Sequence, residues 1–273
     1  MKPAAATSLF GLLVLGLLAL APPAAAQPSA PLTVELDYAG VLSALHLPDV
    51  KVLDLHAVER AGRTDFASHA ETHSFGILRA LKLIDLTTDA AGPVGEGVPQ
   101  PRVFSFVSVE KKKTKRVTLT WTGDDVVQTP FHKDGGDPRP TPALKHAAAD
   151  PVTVFSRAVY APSAESLCER NWRFYDGAQI YELQFEPARA AEPSAAERGM
   201  GLSAAVTCKV GYAEVAGFTH KPGDHHADWL KSDIVARFGR LGAAGPWIFV
   251  SLTADTFLGY AKVELTHAAV RPG

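Results

Sequence analysis

The chain has few cysteines, no excess of positive charge and none of the short motifs that carry common enzymatic chemistry. Only two of its 273 residues are cysteine, and 27 basic residues stand against 29 acidic ones. A protein that binds nucleic acid needs a basic surface to displace phosphate counterions, so the sequence argues against that class. It holds no phosphate-binding glycine loop, nucleophile elbow, dinucleotide fingerprint or zinc-protease helix motif. We therefore predict no catalytic residue, no cofactor and no enzymatic activity.

Long apolar runs are also scarce. The one long run lies at the start of the chain. Lys2 precedes an uncharged apolar segment over residues 9–20, and two prolines and three alanines follow up to Ala26. This order is typical of a secretory signal peptide, and the run is too short for a spanning helix. We predict a signal peptide over residues 1–26, cleavage after about Ala26, and a periplasmic location. The next residue is Gln27 and not cysteine, which argues against a lipid anchor.

The two cysteines are Cys168 and Cys208. An exported protein enters an oxidising compartment, where an isolated pair of cysteines usually bonds. Neither a C-x-x-C spacing nor a nearby histidine pattern supports a redox or metal-binding pair. The sequence therefore predicts a structural disulfide between these two residues.

Alternating apolar and polar residues, the pattern of half-buried strands, recur along the rest of the chain. Asp176-Gly177 between two such runs is a strong hairpin signal, and Asp150-Pro151 is typical of a helix start. Strands are predicted over residues 32–38, 50–58, 66–75, 82–88, 102–109, 116–122, 172–175, 178–185, 203–215, 231–238, 247–253 and 260–268. A helix is predicted over residues 152–160, and loops over 90–101, 133–142 and 186–199.

These elements show no alternation of strands with helices that would indicate a parallel sheet. We predict one all-β domain over residues 27–273, built as a mostly antiparallel curled sheet or a half-open or closed barrel, with one or two short helices. Curling or closure is expected because an open sheet with this many strands would expose long edges.

Aromatic residues on the predicted strands give the candidate binding site. Trp121, Phe174, Tyr181, Trp247 and Phe249 could line a cavity for an apolar ligand, as such residues do in other curled sheets. They could equally fill the core, which is the commoner role of buried aromatic residues. The sequence leaves both interpretations open.

Two clusters of histidine and carboxylate residues could bind a metal ion. His69, Glu71 and His73 lie at i, i+2 and i+4, so they share one face of a strand. We favour a solvated strand face, because no fourth ligand can be named. The second cluster lies in one predicted turn and comprises His220, Asp224, His225, His226 and Asp228. Adjacent histidines in a turn point apart, so we predict no metal site there either.

A single basic run covers residues 111–116 and includes Lys113, Lys115 and Arg116. It could bind an anionic headgroup or polymer. The alternative, which we favour from the sequence, is a solvated hairpin tip that also discourages pairing at a sheet edge.

Several short motifs follow one another in the C-terminal half: Asp150-Pro151-Val152-Thr153, Phe174-Tyr175-Asp176-Gly177, Tyr181-Glu182-Leu183, Val215-Ala216-Gly217-Phe218 and Phe257-Leu258-Gly259-Tyr260, with a cysteine ahead of the second and the fourth. In this order they resemble the bacterial exported family known as domain of unknown function 3108. The resemblance covers about residues 145–268 and is approximate over 32–144.

The resemblance implies an envelope-associated protein with a signal peptide, a mostly antiparallel fold and no established activity. At the level of fold it is similar to the half-open barrels of periplasmic lipoprotein carriers, which hold acyl chains. Fold analogy is a weak guide to function. We expect a protein that binds or chaperones an apolar or amphipathic envelope component, with a lipid or lipoprotein as its ligand. The alternative is a structural or assembly factor that acts through contacts with an envelope protein.

Overall fold

Strands make up most of the chain in the computed structural model, which describes residues 30–44, 49–76, 79, 85–110, 113–130, 138–169, 171–219, 233–256 and 259–273. The predicted signal peptide, residues 1–26, lies outside this part. Within it, none of the helices has the length and apolar character needed to cross a membrane.

The described residues form fifteen strands and four short helices. The strands are β1 (Leu32–Ala44), β2 (Val50–Ala61), β3 (Asp65–Ser74), β4 (Asp85–Gly95), β5 (Val98–Pro99), β6 (Val103–Glu110), β7 (Lys113–Thr122), β8 (Asp125–Thr129), β9 (Trp172–Tyr175), β10 (Ile180–Phe185), β11 (Arg189–Ala191), β12 (Leu202–Ala216), β13 (Ile234–Leu241), β14 (Trp247–Thr256) and β15 (Gly259–Pro272). The helices are α1 (Pro142–His146), α2 (Pro151–Ser156), α3 (Ala164–Cys168) and α4 (Ala195–Gly199).

The strands belong to one antiparallel sheet with the order β8-β7-β6-β4-β3-β2-β1-β15-β14-β13-β12-β10-β9. Strand β5 pairs with β4, and β11 pairs with β12, beside this path. The first and last strands are neighbours, because β1 pairs with β15 from Leu32 opposite Pro272 to Ala44 opposite Gly259. The predicted all-β, mostly antiparallel curled sheet is confirmed, and the sheet is not closed.

The two edge strands, β8 and β9, approach each other without pairing. Ala149 forms an isolated parallel bridge with Phe174 of β9. The indole nitrogen of Trp121, on β7, donates to the Ala148 carbonyl at 3.1 Å. The Gln128 amide, on β8, donates to the Gly177 carbonyl at 2.8 Å. Residues 148–149 therefore join the two edges of the curled sheet.

Helix α2 follows this segment and lies inside the curl. The Asp150 carboxylate caps it, accepting hydrogen bonds from the backbone N–H groups of Val152 and Thr153. Ser156 donates to Glu59 on β2 at 2.7 Å, and the Tyr160 hydroxyl donates to the Gly62 carbonyl in the β2–β3 turn. We call the end of the sheet that includes the β2–β3 turn the helical end, because helix α2 and the residues after it contact the sheet there. The opposite end, where β1, β6 and β14 finish and β2, β7 and β15 begin, is the open end.

The helices differ from the prediction in number and length. Four occur among the described residues, whereas one or two were expected, because helices of five or six residues are too short to show a 3.6-residue period. Helix α2 ends at Ser156 and not at residue 160, since the following N–H groups bond three residues back, as Ala158 does to Phe155.

Two predicted loops contain regular structure. Strand β4 continues to Gly95 through the loop predicted over 90–101, and β5 pairs with its end. The loop predicted over 186–199 holds β11 and α4, which begins with a reciprocal capping box between Ser194 and Glu197. Glycine and proline counts alone therefore overestimated the length of both loops.

The predicted disulfide is present and joins the end of α3 to the middle of β12. Cys168 and Cys208 have Cα atoms 5.8 Å apart and both side chains are fully buried. Around them pack Val154, Leu167 and Phe238. The bond therefore ties the helical segment to the inner face of the sheet.

Replacing both cysteines by alanine should lower the free energy of unfolding by about 4 kcal/mol, because the cross-link closes a loop of 40 residues in the unfolded chain. Urea unfolding of the oxidised protein and of the double variant measures this difference. A difference below about 1 kcal/mol would contradict the entropic account of the bond.

Gly217 requires a backbone conformation that other residues avoid. It has φ +88°, its N–H donates to the Pro138 carbonyl at 2.8 Å, and an added Cβ would overlap the Ala178 carbonyl oxygen. We expect Gly217→Ala to destabilise the protein by about 3 kcal/mol in urea unfolding. Gly123→Ala is the control, since Gly123 also has a positive φ but no atom within 4 Å of the added carbon, and about 1 kcal/mol is expected. Equal losses of stability in the two variants would show that the backbone around Gly217 moves enough to relieve the overlap with the Ala178 carbonyl oxygen.

Candidate functional site

Three of the five aromatic residues predicted to line a ligand site meet in one cluster on the inner face of the sheet. Phe174 on β9 stacks on Tyr181 of β10, with ring centroids 4.9 Å apart. Phe249 on β14 approaches Tyr38 of β1 at 5.9 Å. Phe155 of helix α2 connects the two groups, since its ring lies 5.4 Å from Phe249 and 6.3 Å from Phe174.

The other two predicted lining residues lie elsewhere. Trp121 is partly buried, and its indole bonds the segment that joins the sheet edges. Trp247 is buried in the core around the disulfide. In the part of the chain that the structure describes, neither indole makes a ring contact with the Phe155 cluster. Both indoles therefore lie apart from this cluster.

The burial of the inner face changes along the strands. Near the helical end, inward-facing side chains such as Val34, Ala57 and Phe104 are almost fully buried. Toward the open end, the burial differs between strands. Inner-face residues of β2, β6, β12, β14 and β15 are only partly buried, among them Leu55, Phe106, Tyr212, Leu252 and Val263. Tyr175 of β9 and Ile180 of β10, at the same end, are fully buried. The inner face is therefore apolar, and toward the open end it is accessible on those five strands.

Phe155 shows the same accessibility. It touches the rings of Trp172, Phe174 and Phe249, yet 37% of the residue remains exposed. A phenylalanine that fills a packed core would be nearly inaccessible, as Phe174 is. The cluster is therefore open on the side of Phe155.

At the helical end the interior holds two buried carboxyl groups. Glu59 accepts hydrogen bonds from Ser68 at 2.6 Å and from Ser156 at 2.7 Å. Burial, with a smaller contribution from nearby Asp150, raises the pKa of Glu59 to about 7, against the two serine hydrogen bonds that lower it. Burial likewise raises the pKa of Asp150 to about 6. Among the described residues no lysine or arginine pairs with either carboxyl group.

The first histidine cluster lies on the outer face of β3, where Glu71 lies between the imidazoles, 3.4 Å from His69 and 3.9 Å from His73. Each imidazole has a closer carboxylate partner of its own. His69 lies 2.7 Å from Asp89, and His73 lies 2.9 Å from Asp85, both on β4. The hydrogen bond with Asp89 raises the pKa of His69, whereas His73 and then Arg79 lower the pKa of Asp85. The described residues contain no set of three side chains placed to hold a metal ion.

The second histidine cluster, His220 to Asp228, lies outside the described residues. So do the first two lysines of the basic run, at positions 111 and 112. The structure places Lys113, Lys115 and Arg116 at the start of β7, all exposed and at the open end.

A separate cavity of about 350 Å³ lies at the helical end, between the β4–β5 turn and the segment joining α2 to α3. Val98, Tyr160, Ser166 and Trp172 contribute to its lining. None of the five predicted lining residues borders it. The predicted site and this cavity are therefore different places.

Phe155 and Tyr38 were not among the residues predicted for the site. Tyr38 ends a predicted strand, and its hydroxyl donates to the Phe249 carbonyl at 2.9 Å. Phe155 lies on a helix, so a search confined to strand residues missed it. The sequence does contain a signal for Phe155. The run Val152-Thr153-Val154-Phe155 places apolar side chains on more than one side of a short helix, which indicates contacts beyond one face.

No protein-family model matches the chain, and no curated protein matches it. Among solved structures, the chain is similar to the crystal structure of a beta-barrel-like protein of domain of unknown function DUF1849 from Brucella abortus. The TM-score is 0.48 at 12% identity, over 88% of this chain and 98% of that chain. The resemblance to domain of unknown function 3108 stays a prediction.

The buried Glu59 predicts a pH-dependent stability. Its pKa in the folded protein lies above the unfolded value of 4.5, so the folded state keeps a proton that the unfolded state loses between pH 4.5 and 7. Stability should therefore fall as pH rises through this window. Glu59→Gln removes that loss, so the variant should be about 2 kcal/mol more stable than the original protein at pH 8 and nearly equal to it at pH 5.

Urea unfolding at both pH values measures this effect. Glu186→Gln, at an exposed position, is the control and should follow the original protein at both. Equal stabilities of the Glu59 variant and the original protein at pH 8 would contradict the prediction.

Proposed function

We propose that the protein is an exported carrier or chaperone that binds an apolar or amphipathic component of the cell envelope in the open end of its curled sheet. Phe155 carries the proposal, because it offers an accessible aromatic surface inside the curl and is supported on three sides by other rings. An apolar ligand that covered this surface would gain the free energy of removing it from water.

The change in burial along the inner face also supports entry of the ligand at the open end. Helix α2 and the buried carboxyl groups occupy the helical end, where an apolar chain would meet charged or hydroxyl groups. Toward the open end, side chains such as Leu55 of β2 and Leu252 of β14 are apolar and partly exposed. Apolar walls with few polar groups are typical of sites for apolar ligands. The signal peptide predicted over residues 1–26 supports a role in the envelope.

An uncharged fluorescent probe tests the proposal directly. N-phenyl-1-naphthylamine should bind the purified protein with increased fluorescence, and Phe155→Ala should weaken its binding about tenfold, because an aromatic contact of the cluster is lost. Titration of the probe into each protein gives the two dissociation constants.

Phe75→Ala is the matched control. Phe75 is 49% exposed, but its ring contacts the Lys51 ammonium and not the cluster, so its loss should leave probe binding unchanged. No binding to the original protein, or equal weakening in both variants, would contradict the proposal. That result would favour the alternative, an assembly factor that acts through protein contacts.

A further inference from the structure

A lysine lies beside the apolar wall at the open end. The Lys115 ammonium of β7 sits over the ring of Phe106 on β6, 5.4 Å from its centroid. Phe106 is itself partly buried and contacts the ring of Phe104 at 6.2 Å, deeper in the curl. A positive charge therefore lies where the polar rim meets the apolar inner face.

The register of the β6–β7 hairpin places this lysine on the inner face. Phe106 is opposite Val117, and Ser108 is opposite Lys115. Because side chains alternate along a strand, Lys115 shares its face with Val117 and Leu119, which are fully buried. Arg116, one residue on, points to the outer face.

Lys115 is also the basic group at this rim that is best placed for a ligand. Of the three basic residues that the structure places at the start of β7, Lys115 is the one whose ammonium lies over an aromatic ring of the inner face. Among the described residues no carboxylate forms an ion pair with Lys115. An ammonium held against an aromatic ring at the edge of an apolar wall matches the division of an amphiphile into a charged head and an apolar chain.

We infer that the open end selects lipids with an acidic headgroup, which contacts the Lys115 ammonium while the apolar chain passes Phe106 into the curl toward Phe155. This inference rests on the proposed function and adds the chemistry of the headgroup. It gives the basic run at the β6–β7 hairpin a role beyond that of a solvated tip. The ammonium supplies charge complementarity at the rim, and the apolar wall supplies most of the affinity.

Competition against bound N-phenyl-1-naphthylamine tests the inference, because the probe carries no headgroup. Lauroyl-lysophosphatidylglycerol, which is anionic, should displace the probe at about fivefold lower concentration than zwitterionic lauroyl-lysophosphatidylcholine. Lys115→Gln should reduce this preference to less than about twofold and leave binding of the choline lipid unchanged. Higher salt should reduce the preference of the original protein.

Arg116→Gln is the matched control, since it removes the same charge from the neighbouring position on the outer face and should keep the preference. Inorganic phosphate, compared with chloride at the same ionic strength, should leave the preference for the anionic lipid unchanged, which separates recognition of a lipid headgroup from binding of a free anion. Equal competition by the two lipids, or equal effects of the two variants, would overturn the inference while leaving the proposed function intact. Failure of the probe to bind the original protein would overturn both.

Discussion

The short segment at residues 148–149 is the contact on which the curled sheet depends. A sheet with two free edges exposes unpaired backbone groups that invite association with other chains. Ala149 bonds the backbone of β9, and Ala148 accepts the indole hydrogen of Trp121 from the other edge. Because Asp150 caps helix α2 directly afterwards, the segment that joins the edges also determines where the helix enters the interior. The segment at residues 148–149 therefore also determines the position of Phe155 on that helix.

The two ends of the interior differ in chemistry. At the helical end, Glu59 and Asp150 are buried with hydroxyl and backbone partners, an arrangement that costs free energy when the carboxyl groups are charged. At the open end the inner face is apolar and partly exposed, and Lys115 marks its rim. A ligand that enters the curl would therefore meet a cation first, then apolar side chains, and finally the helix.

The strands were predictable because alternation is a local property, and most predicted strands match observed ones within a few residues. The Asp176-Gly177 turn was readable for the same reason: the Asp176 carboxylate accepts two backbone hydrogen bonds and Gly177 has φ +97°. Strand β8 and the three helices other than α2 were missed, since each has only five residues. The aromatic cluster was only partly predictable. Phe155 and Phe249 are distant in sequence, and their contact depends on the path of α2 inside the sheet.

The pairing of β1 with β15 has a consequence for how the chain reaches this structure. Leu32 and Pro272 lie opposite each other although 240 residues separate them in the sequence, so bringing them together carries a large loop-closure entropy. Until β15 is available, β1 has a partner on one side only. Topologies dominated by such distant pairings fold slowly and leave strand edges exposed while they do so. Newly synthesised copies of this protein would therefore be the ones most in need of protection from aggregation.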